Sequence, residues 1–332
     1  MSEPGTDVVS GGGPRGVGEP GHSPRVSPGG VLSLVLVVAA LATLIVLAWI
    51  SVTSPATSQT ASGDAVPAFS HVWVIFMENR DYTQIIGSPD APYVNQLSTR
   101  YALATRYYGV MHGSQPNYIA FFSGATYGVT GGSTPNLSAT NLVDQLEAGG
   151  RTWRVFAENY PGGCYNGITA TGGPDGPGTW VRRHTPALAF KDIRKSATRC
   201  ANIQPFRQFD PAAADFELIV PNLTDSGHDG TTRQADAFLQ GFVPRITGSA
   251  AWRDNGALFI VWDEGRETGP NHITALVISP LVPSGARSSA RYDHYSLLAT
   301  IESAWHLDCL GSSCGAKPMS AFFDHRPSAP PS

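Results

Sequence analysis

Five short apolar runs, rich in β-branched and aromatic residues, recur along the chain between segments of helical character. Apolar runs of about four to eight residues are typical of strands buried on both faces, and strands that alternate with helices are typical of βα units. The chain is therefore predicted to be an α/β protein with a central, mostly parallel sheet. The predicted strands are residues 71–77, 153–157, 216–220, 257–262 and 273–279.

Polar side chains follow four of the five predicted strands, where ordinary turns would carry Gly, Pro and Ser. Ligands of such sheets bind beyond the carboxyl ends of the strands, so the functional site is predicted there. The polar residues are, strand by strand, Glu78, Asn79 and Arg80; Glu158 and Asn159; Asn222, Asp225, His228 and Asp229; and Asp263 and Glu264. Helices are predicted over residues 93–101, 116–123, 141–148, 232–246 and 296–305, with Gly149 as a C-cap.

Two adjacent pairs of oxygen donors, Glu78-Asn79 and Asp263-Glu264, each directly follow a predicted strand. Three carboxylates that converge in one crevice repel each other and protonate unless a cation neutralises them. One divalent metal ion is therefore predicted, and ligation by oxygen alone favours Mg²⁺, Ca²⁺ or Mn²⁺ over Zn²⁺. The alternative is that both pairs are solvated turn residues or helix caps.

Ser114 lies in the segment MHGSQPNYIAFFS, just before a proline that suits the first turn of a helix. The free amides and dipole of a helix N-terminus suit a phosphate group, and the predicted metal would activate the hydroxyl by lowering its pKa. One alternative is a plain N-cap serine. The other is a Ser-His-Asp acyl hydrolase, but the GxSxG elbow is absent and the two oxygen-donor pairs would have no role.

Two histidines lie in loops next to predicted strands, His228 in DSGHDG and His272 in PNHI. Either is a candidate acid catalyst, or the base of the acyl hydrolase alternative. His112 is two residues from Ser114 and is a candidate contact of the phosphate or the metal shell. His294 in YDHYS is predicted to cap the last helix. Each histidine taken alone is equally consistent with a structural hydrogen-bonding role.

The first part of the chain predicts export. Residues 1–30 are rich in Gly, Pro and Ser, which predicts a disordered tail. Residues 31–50 carry no charge and are about long enough to cross roughly 30 Å of hydrocarbon, which predicts a transmembrane helix. Because Arg15 and Arg25 precede this helix and no basic residue follows closely, the tail is placed in the cytoplasm and the rest outside. A cleaved signal peptide is the alternative, and residues 51–68 are then either a stalk or the cleavage region.

The four cysteines agree with an oxidising compartment. Cys309 and Cys314 are close enough to close a turn, which leaves Cys164 for Cys200, but four cysteines allow three pairings and the sequence does not choose among them. No CxxC or Cys/His cluster has the spacing of a zinc site, the weaker alternative. The 22 basic residues against 26 acidic ones lack the excess that nucleic acid binding needs, so nucleic acid is excluded as a partner.

Five ordered blocks resemble the bacterial phosphoesterase family, which includes secreted acid phosphatases and phospholipases C. The blocks are FMENRDY, HGSQPNYIAFFSG, PNLTDSGHDG, ALFIVWDEG and YDHYSLLATIESAWHLDCLG. The resemblance covers roughly residues 71–311 and implies a three-layer, alkaline-phosphatase-like α/β fold. The catalytic domain is predicted over residues 69–316, followed by a tail over 317–332. HGSQPN departs from the commoner HPSLPN form, and the short chain resembles the acid phosphatases more than the large phospholipases C.

The resemblance also implies roles for individual residues. Its metal ligands correspond to Glu78, Asn79, Asp263 and Glu264, its nucleophile to Ser114, and its histidines near the phosphate to His228 and His272. The predicted substrate-binding residues of this chain are Asn79, His112 and Asn117. The hypothesis is hydrolysis of phosphate monoesters, small molecules or lipid headgroups, through a phosphoserine. The alternatives are a phospholipase C-type phosphodiesterase, a carboxylic esterase and a non-catalytic exported metal-binding domain.

Overall fold

The computed structural model describes residues 65–266 and 268–323. The predicted cytoplasmic tail, the transmembrane helix over 31–50 and most of the stalk lie outside these ranges, as do residues 324–332 of the predicted C-terminal tail. Within the described ranges, no helix combines the length and the apolar character that a membrane crossing requires. The transmembrane segment stays a prediction.

The centre of the fold is a nine-stranded sheet. The strands of the described residues are, in chain order, β1 (Val72–Met77), β2 (Ala102–Tyr108), β3 (Trp153–Ala157), β4 (Thr169–Gly173), β5 (Gly176–Val181), β6 (Ile203–Gln204), β7 (Phe216–Val220), β8 (Ala257–Trp262), β9 (His272–Ile278), β10 (Arg287–Ser288) and β11 (Tyr292–Asp293). The order across the sheet is β10-β2-β9-β8-β1-β7-β3-β6, and β11 also pairs with β2. Strands β4 and β5 form a separate antiparallel hairpin.

All five predicted strands are confirmed, and β3, β7 and β8 have the predicted bounds. The prediction of a mostly parallel sheet also holds, although β9 runs antiparallel to both β8 and β2. Strand β2 is absent from the sequence prediction. Its pairing with β9 is irregular between Ala104 and Tyr107, and its exposed Arg106 interrupts the apolar run, so its local pattern is weak.

The five predicted helices are also confirmed, each within two residues at either end. The helices of the described residues are α1 (Tyr82–Ile85), α2 (Pro92–Arg100), α3 (Ser114–Ser123), α4 (Leu142–Ala148), α5 (Lys191–Lys195), α6 (Ala197–Cys200), α7 (Thr232–Thr247), α8 (Ala250–Arg253) and α9 (His294–Trp305). Asn141 caps α4 by accepting a hydrogen bond from the Val143 amide at 3.0 Å, and Gly149 is the C-cap as predicted.

Helices cover both faces of the sheet. Helix α3 packs against α9, and α2 packs against α7. Every residue of the central strand β1 is buried. Since successive side chains of a strand point to opposite faces, burial of the whole strand requires a layer on each side. The fold is therefore a three-layer α/β arrangement.

Both disulfides join the cysteines that lie nearest in the chain, Cys164 with Cys200 and Cys309 with Cys314. The first closes an insertion that contains the β4–β5 hairpin and two short 3₁₀ helices, Arg182–His184 and Pro186–Ala189. Both 3₁₀ helices pack against α3. The insertion therefore reaches the helix that begins at Ser114.

Strands β1, β7 and β8 are parallel neighbours, so their carboxyl ends meet at one edge of the sheet. Neighbouring strands lie about 4.8 Å apart, and the residues that follow them are within side-chain reach of each other. Glu78 follows β1 and Asp263 follows β8. This edge holds the candidate site.

Candidate active site

Ser114 is the first residue of α3, and its hydroxyl is surrounded by oxygen atoms. Its Oγ lies 3.1 Å from Glu78 Oε2, 3.3 Å from Asn79 Oδ1 and 3.1 Å from Glu264 Oε1. The preceding Gly113 has φ 99°, a conformation that favours glycine, and its amide donates to Glu264 Oε2. A hydroxyl carries one proton, so it can donate to only one of these three oxygens at a time.

Asp263 and Asn79 complete the oxygen cluster. Asp263 Oδ1 accepts hydrogen bonds from the Asn79 amide at 3.1 Å and from the Glu264 amide at 2.7 Å. Asp263 Oδ2 is buried and has no hydrogen-bond partner among the described residues. The Asn79 amide oxygen faces the carboxylates; turned over, its Nδ2 would lie 3.2 Å from Asp263 Oδ1 and 3.0 Å from Glu78 Oε2.

Burial of this cluster penalises its negative charges. Burial, followed by the nearby charge of Asp263, raises the pKa of Glu78 well above its usual value. Burial, followed by the charge of Glu264, raises the pKa of Asp263 to about 7. A positive charge between the carboxylates would offset both shifts, because it stabilises their charged forms.

The cluster has the chemistry of a site for one divalent cation. Among the described residues, no three His, Cys, Asp or Glu side chains form a metal site by themselves, so a cation would also draw on the Asn79 amide and the Ser114 hydroxyl. Ligand oxygens at about 2.1 Å from Mg²⁺ or about 2.4 Å from Ca²⁺ lie about 3.0 to 3.4 Å from each other. The separations of 3.1 to 3.3 Å around Ser114 Oγ fall in that range, and the unpartnered oxygen of Asp263 offers a further donor. The residues therefore fit the predicted metal.

Two residues that the sequence analysis did not select hold the other oxygen of Glu78. The Tyr118 hydroxyl donates to Glu78 Oε1, and His184 Nδ1 lies 3.2 Å from the same oxygen. The His184 ring stacks on Tyr118 with centroids 5.3 Å apart and is only 1% exposed, and burial lowers its pKa well below the usual value. Tyr118 is four residues after Ser114 on α3, so helical spacing could have indicated it. No local signal points to His184, because the insertion brings it from a distant part of the chain.

His228 lies beside this group. Its ring centroid is 5.6 Å from that of His184. Its Nδ1 is 2.6 Å from Asp229 Oδ1, and its Nε2 is 3.2 Å from an Arg183 nitrogen. Since a guanidinium can only donate, Nε2 accepts from Arg183 and the ring proton on Nδ1 points to Asp229. The predicted His228 is therefore close to the oxygen cluster, with both ring nitrogens engaged.

His272 has a different environment. Its ring stacks on Tyr82 at 4.4 Å and on Tyr108 at 5.1 Å, and its Nε2 is 2.9 Å from the Thr105 carbonyl. Burial lowers its pKa. The contacts of His272 are thus with β2 and α1 and not with the oxygen cluster. The preceding Asn271 is the residue of the PNHI motif that reaches the site loops.

The Asn117 side chain bonds to the backbone of the loop before Ser114 and not to the oxygen cluster. Its side-chain oxygen accepts from the amides of Val110 and Met111, and its side-chain nitrogen donates to the carbonyls of Met111 and Gly113. These bonds use the amide to shape the loop that precedes Ser114. They give Asn117 a positioning role for this loop, and its predicted contact with the substrate stays a prediction.

His112 and His294, the other two histidines named in the sequence analysis, lie at the edge of the cluster. His112 Nδ1 is 3.7 Å from Glu264 Oε2, and about a third of its side chain is exposed. The prediction that His294 caps the last helix is wrong, because Asp293 is the N-cap of α9 and accepts from the Ser296 amide, while His294 is the first helical residue. The buried His294 ring places Nε2 2.6 Å from the Asp263 carbonyl and Nδ1 3.2 Å from the Tyr107 hydroxyl, and burial lowers its pKa to about 4. His294 therefore supports the backbone of a proposed ligand in addition to beginning the helix.

The chain is similar to known proteins in sequence and in fold. A family model described as the phosphoesterase family matches residues 88–308. A phosphatidylinositol-3-phosphatase of Mycobacterium tuberculosis is 29% identical over 292 residues, which cover 85% of this chain and 91% of that protein. A probable acid phosphatase of Kluyveromyces lactis is 28% identical over 260 residues, 75% of this chain but 61% of that longer protein. The solved structure of the lipoteichoic acid synthase LtaP from Listeria monocytogenes has a TM-score of 0.53 at 9% identity, over 79% of this chain and 78% of that one, which shows a shared fold.

Proposed function

Because the chain belongs to the phosphoesterase family and is a hydrolase of phosphoric ester bonds, we propose that it hydrolyses phosphate monoesters with Ser114 as its nucleophile. The observation that carries this proposal is the position of Ser114 Oγ, within 3.1 to 3.3 Å of three oxygen acceptors at the N-terminus of α3. A serine in this position is held where it can lose its proton and where the first-turn amides of the helix can face a phosphate. The fold is proposed to be the alkaline-phosphatase-like one that the sequence blocks imply.

Glu78, Asn79, Asp263 and Glu264 are the proposed ligands of one divalent cation, with Mg²⁺, Ca²⁺ or Mn²⁺ favoured over Zn²⁺. When bound, such a cation neutralises the carboxylates, lowers the pKa of the serine hydroxyl and offsets charge on the phosphate oxygens. The chain itself holds these side chains in place. Tyr118 and His184 orient Glu78, and the two amides on Asp263 Oδ1 orient Asp263.

The proposed reaction has two displacements at phosphorus. In the first, Ser114 gives its proton to one of the carboxylates that it contacts, its Oγ forms a bond to phosphorus as the bond to the leaving oxygen breaks, and the leaving alkoxide takes up a proton from His228 to become an alcohol. In the second, water gives a proton to His228 and attacks the phosphoserine, the Oγ–P bond breaks, inorganic phosphate leaves and Ser114 regains its proton from the carboxylate. His228 is the proposed proton donor and acceptor, since it lies next to His184 whereas His272 is held between Tyr82 and Tyr108.

The proposed substrates are small phosphate monoesters or the phosphorylated headgroups of lipids. Relatives named as a phosphatidylinositol-3-phosphatase and an acid phosphatase support both classes. Export and anchoring by residues 31–50 are proposed as well, on the basis of the uncharged run and the two disulfides. An anchored protein would stay in the membrane pellet after extraction with alkaline carbonate, whereas a cleaved one would be found in the medium.

One assay tests reaction class and cofactor together. Purified protein is treated with a chelator, supplied with single metals, and assayed on p-nitrophenyl phosphate, bis-p-nitrophenyl phosphate and p-nitrophenyl acetate, which share one chromophore. We expect activity on the monoester that returns with a divalent metal and is lost in Ser114→Ala. Ser123→Ala, at the other end of α3, is the matched control, because its hydroxyl bonds only to backbone carbonyls. Metal-independent cleavage of the acetate, or full activity of Ser114→Ala, would refute the proposal.

A further inference from the structure

Arg183 lies on the insertion that the Cys164–Cys200 disulfide closes, in the 3₁₀ helix Arg182–His184 that packs against α3. One of its nitrogens is 3.2 Å from His228 Nε2. Arg183 directly precedes His184, which contacts Glu78 Oε1 together with Tyr118. The guanidinium is therefore at the border of the oxygen cluster, on the side where Glu78 meets the insertion.

Arg183 is half-buried, and among the described residues no carboxylate forms an ion pair with it. In the described part of the chain, the ion pairs of arginine with carboxylates involve Arg151, Arg199 and Arg233. Arg80, a second arginine beside the cluster, is already engaged, because it donates to the carbonyls of Asn79 and Gly230. A guanidinium has five N–H donors in a planar fork, and the contact with His228 uses only part of it.

The charge balance of the site favours a further positively charged side chain at its border. Glu78, Asp263 and Glu264 carry three formal negative charges, so one divalent cation leaves the cluster with an excess of one negative charge. A phosphate monoester adds up to two more negative charges and a diester adds one. A positive side chain at the border therefore favours the monoester more than the diester, and an arginine can hold two phosphate oxygens at once.

We propose that Arg183 binds the phosphate group of the substrate and makes the enzyme selective for monoesters over diesters, an inference that rests on the function proposed above. In the absence of substrate the guanidinium donates to His228 Nε2. When it turns to the phosphate, that nitrogen becomes available to hold the proton for the leaving oxygen. Recognition of the phosphate and proton transfer are thereby linked through one contact of 3.2 Å.

The test compares Arg183→Gln and Arg183→Lys with the wild type on p-nitrophenyl phosphate and bis-p-nitrophenyl phosphate, with inorganic phosphate as a competitive inhibitor. Loss of two charge-assisted hydrogen bonds predicts that Arg183→Gln lowers kcat/KM for the monoester about 100-fold but for the diester less than about 10-fold. The inhibition constant of phosphate should rise at least about 10-fold, and Arg183→Lys should fall between Arg183→Gln and the wild type. If Arg183→Gln does not fold, Arg183→Lys is compared with the wild type instead.

The control is Arg182→Gln, because Arg182 donates to the carbonyls of Asn166 and Leu188 and has no contact with the cluster. It should leave the ratio of monoester to diester activity unchanged. An equal loss on both substrates, or an unchanged inhibition constant of phosphate in the Arg183 variants, would overturn the assignment of Arg183. The function proposed above would instead fail in the wild type itself, through absence of phosphoester hydrolysis, or through survival of that activity in Ser114→Ala.

Discussion

Replacement of Asn271 by Ala tests whether one side chain holds the two halves of the active site together. Asn271 Oδ1 accepts a hydrogen bond from the Gly265 amide at 2.7 Å, directly after the Asp263-Glu264 pair. Its Nδ2 donates to the Met111 carbonyl at 3.0 Å, in the loop that leads to Ser114. Asn271→Ala removes both bonds, so the two loops lose this bridge and stay joined at the site by other contacts, such as those of Glu264 with Gly113 and Ser114.

The magnitude follows from these contacts. A buried polar group left without a partner costs about 1 to 3 kcal/mol, and alanine at the φ of 54° that Asn271 adopts costs about 1 to 2 kcal/mol more. The free energy of unfolding should therefore fall by about 2 to 5 kcal/mol. Because a displacement of about 1 Å between reacting groups can cost about 100-fold in rate, kcat/KM should fall by about that factor.

Urea unfolding measures the loss of stability, and kcat/KM for p-nitrophenyl phosphate measures the loss of activity. Asn271→Asp separates the two hydrogen bonds, because it keeps the acceptor for the Gly265 amide and loses the donor to the Met111 carbonyl. Asn255→Ala is the control for the backbone alone. Asn255 has a similar φ of 57° and an exposed position away from the site. If Asn271→Ala lost no more stability than Asn255→Ala and kept kcat/KM within about twofold of the wild type, the assigned role of Asn271 would be wrong.

Three further outcomes are expected. Asp263→Asn should reduce phosphomonoesterase activity by about a thousandfold and weaken the binding of a divalent metal. Calorimetric titration with the metal alone measures this binding, and an unchanged metal affinity would contradict the assignment of Asp263 as a ligand. Burial raises the pKa of Glu217 from the ordinary 4.5 to about 8, so the folded state binds this proton more tightly than the unfolded state does. The associated stability is fully present below about pH 4.5 and is lost as the pH rises to about 8, a difference of about 5 kcal/mol at most. Glu217→Gln should therefore match the Tm of the wild type at pH 4.5 and exceed it at pH 8, and a constant difference across this range would count against the argument. Gly124 has φ 72° and closely approaches the Leu310 carbonyl, so Gly124→Ala should cost about 3 kcal/mol or more, visible as a lower Tm without a change in metal affinity.

Local sequence determined the elements of this protein and the chemistry at their ends. Strands such as β3, β7 and β8 can be predicted from the sequence, because burial on both faces requires an unbroken apolar run. A run of that length is best explained by a buried strand. The same logic identified Glu78 and Asp263, since a carboxylate directly after a buried strand must lie at the edge of the sheet. The position of Ser114 at a helix N-terminus could be predicted from the proline and the apolar helix that follow it.

Only the tertiary structure decided which distant residues join this edge. His184 and Arg183 reach it because the disulfide-closed insertion folds back onto α3, and no periodicity in the insertion encodes that path. The PNHI motif drew attention to His272, whereas the turn at Asn271 directs the asparagine into the site loops and leaves the histidine between two tyrosines. The physical reason is the same in each case: periodicity reports which face of an element is buried, but the convergence of side chains depends on strand order and loop path, which contacts between remote segments establish.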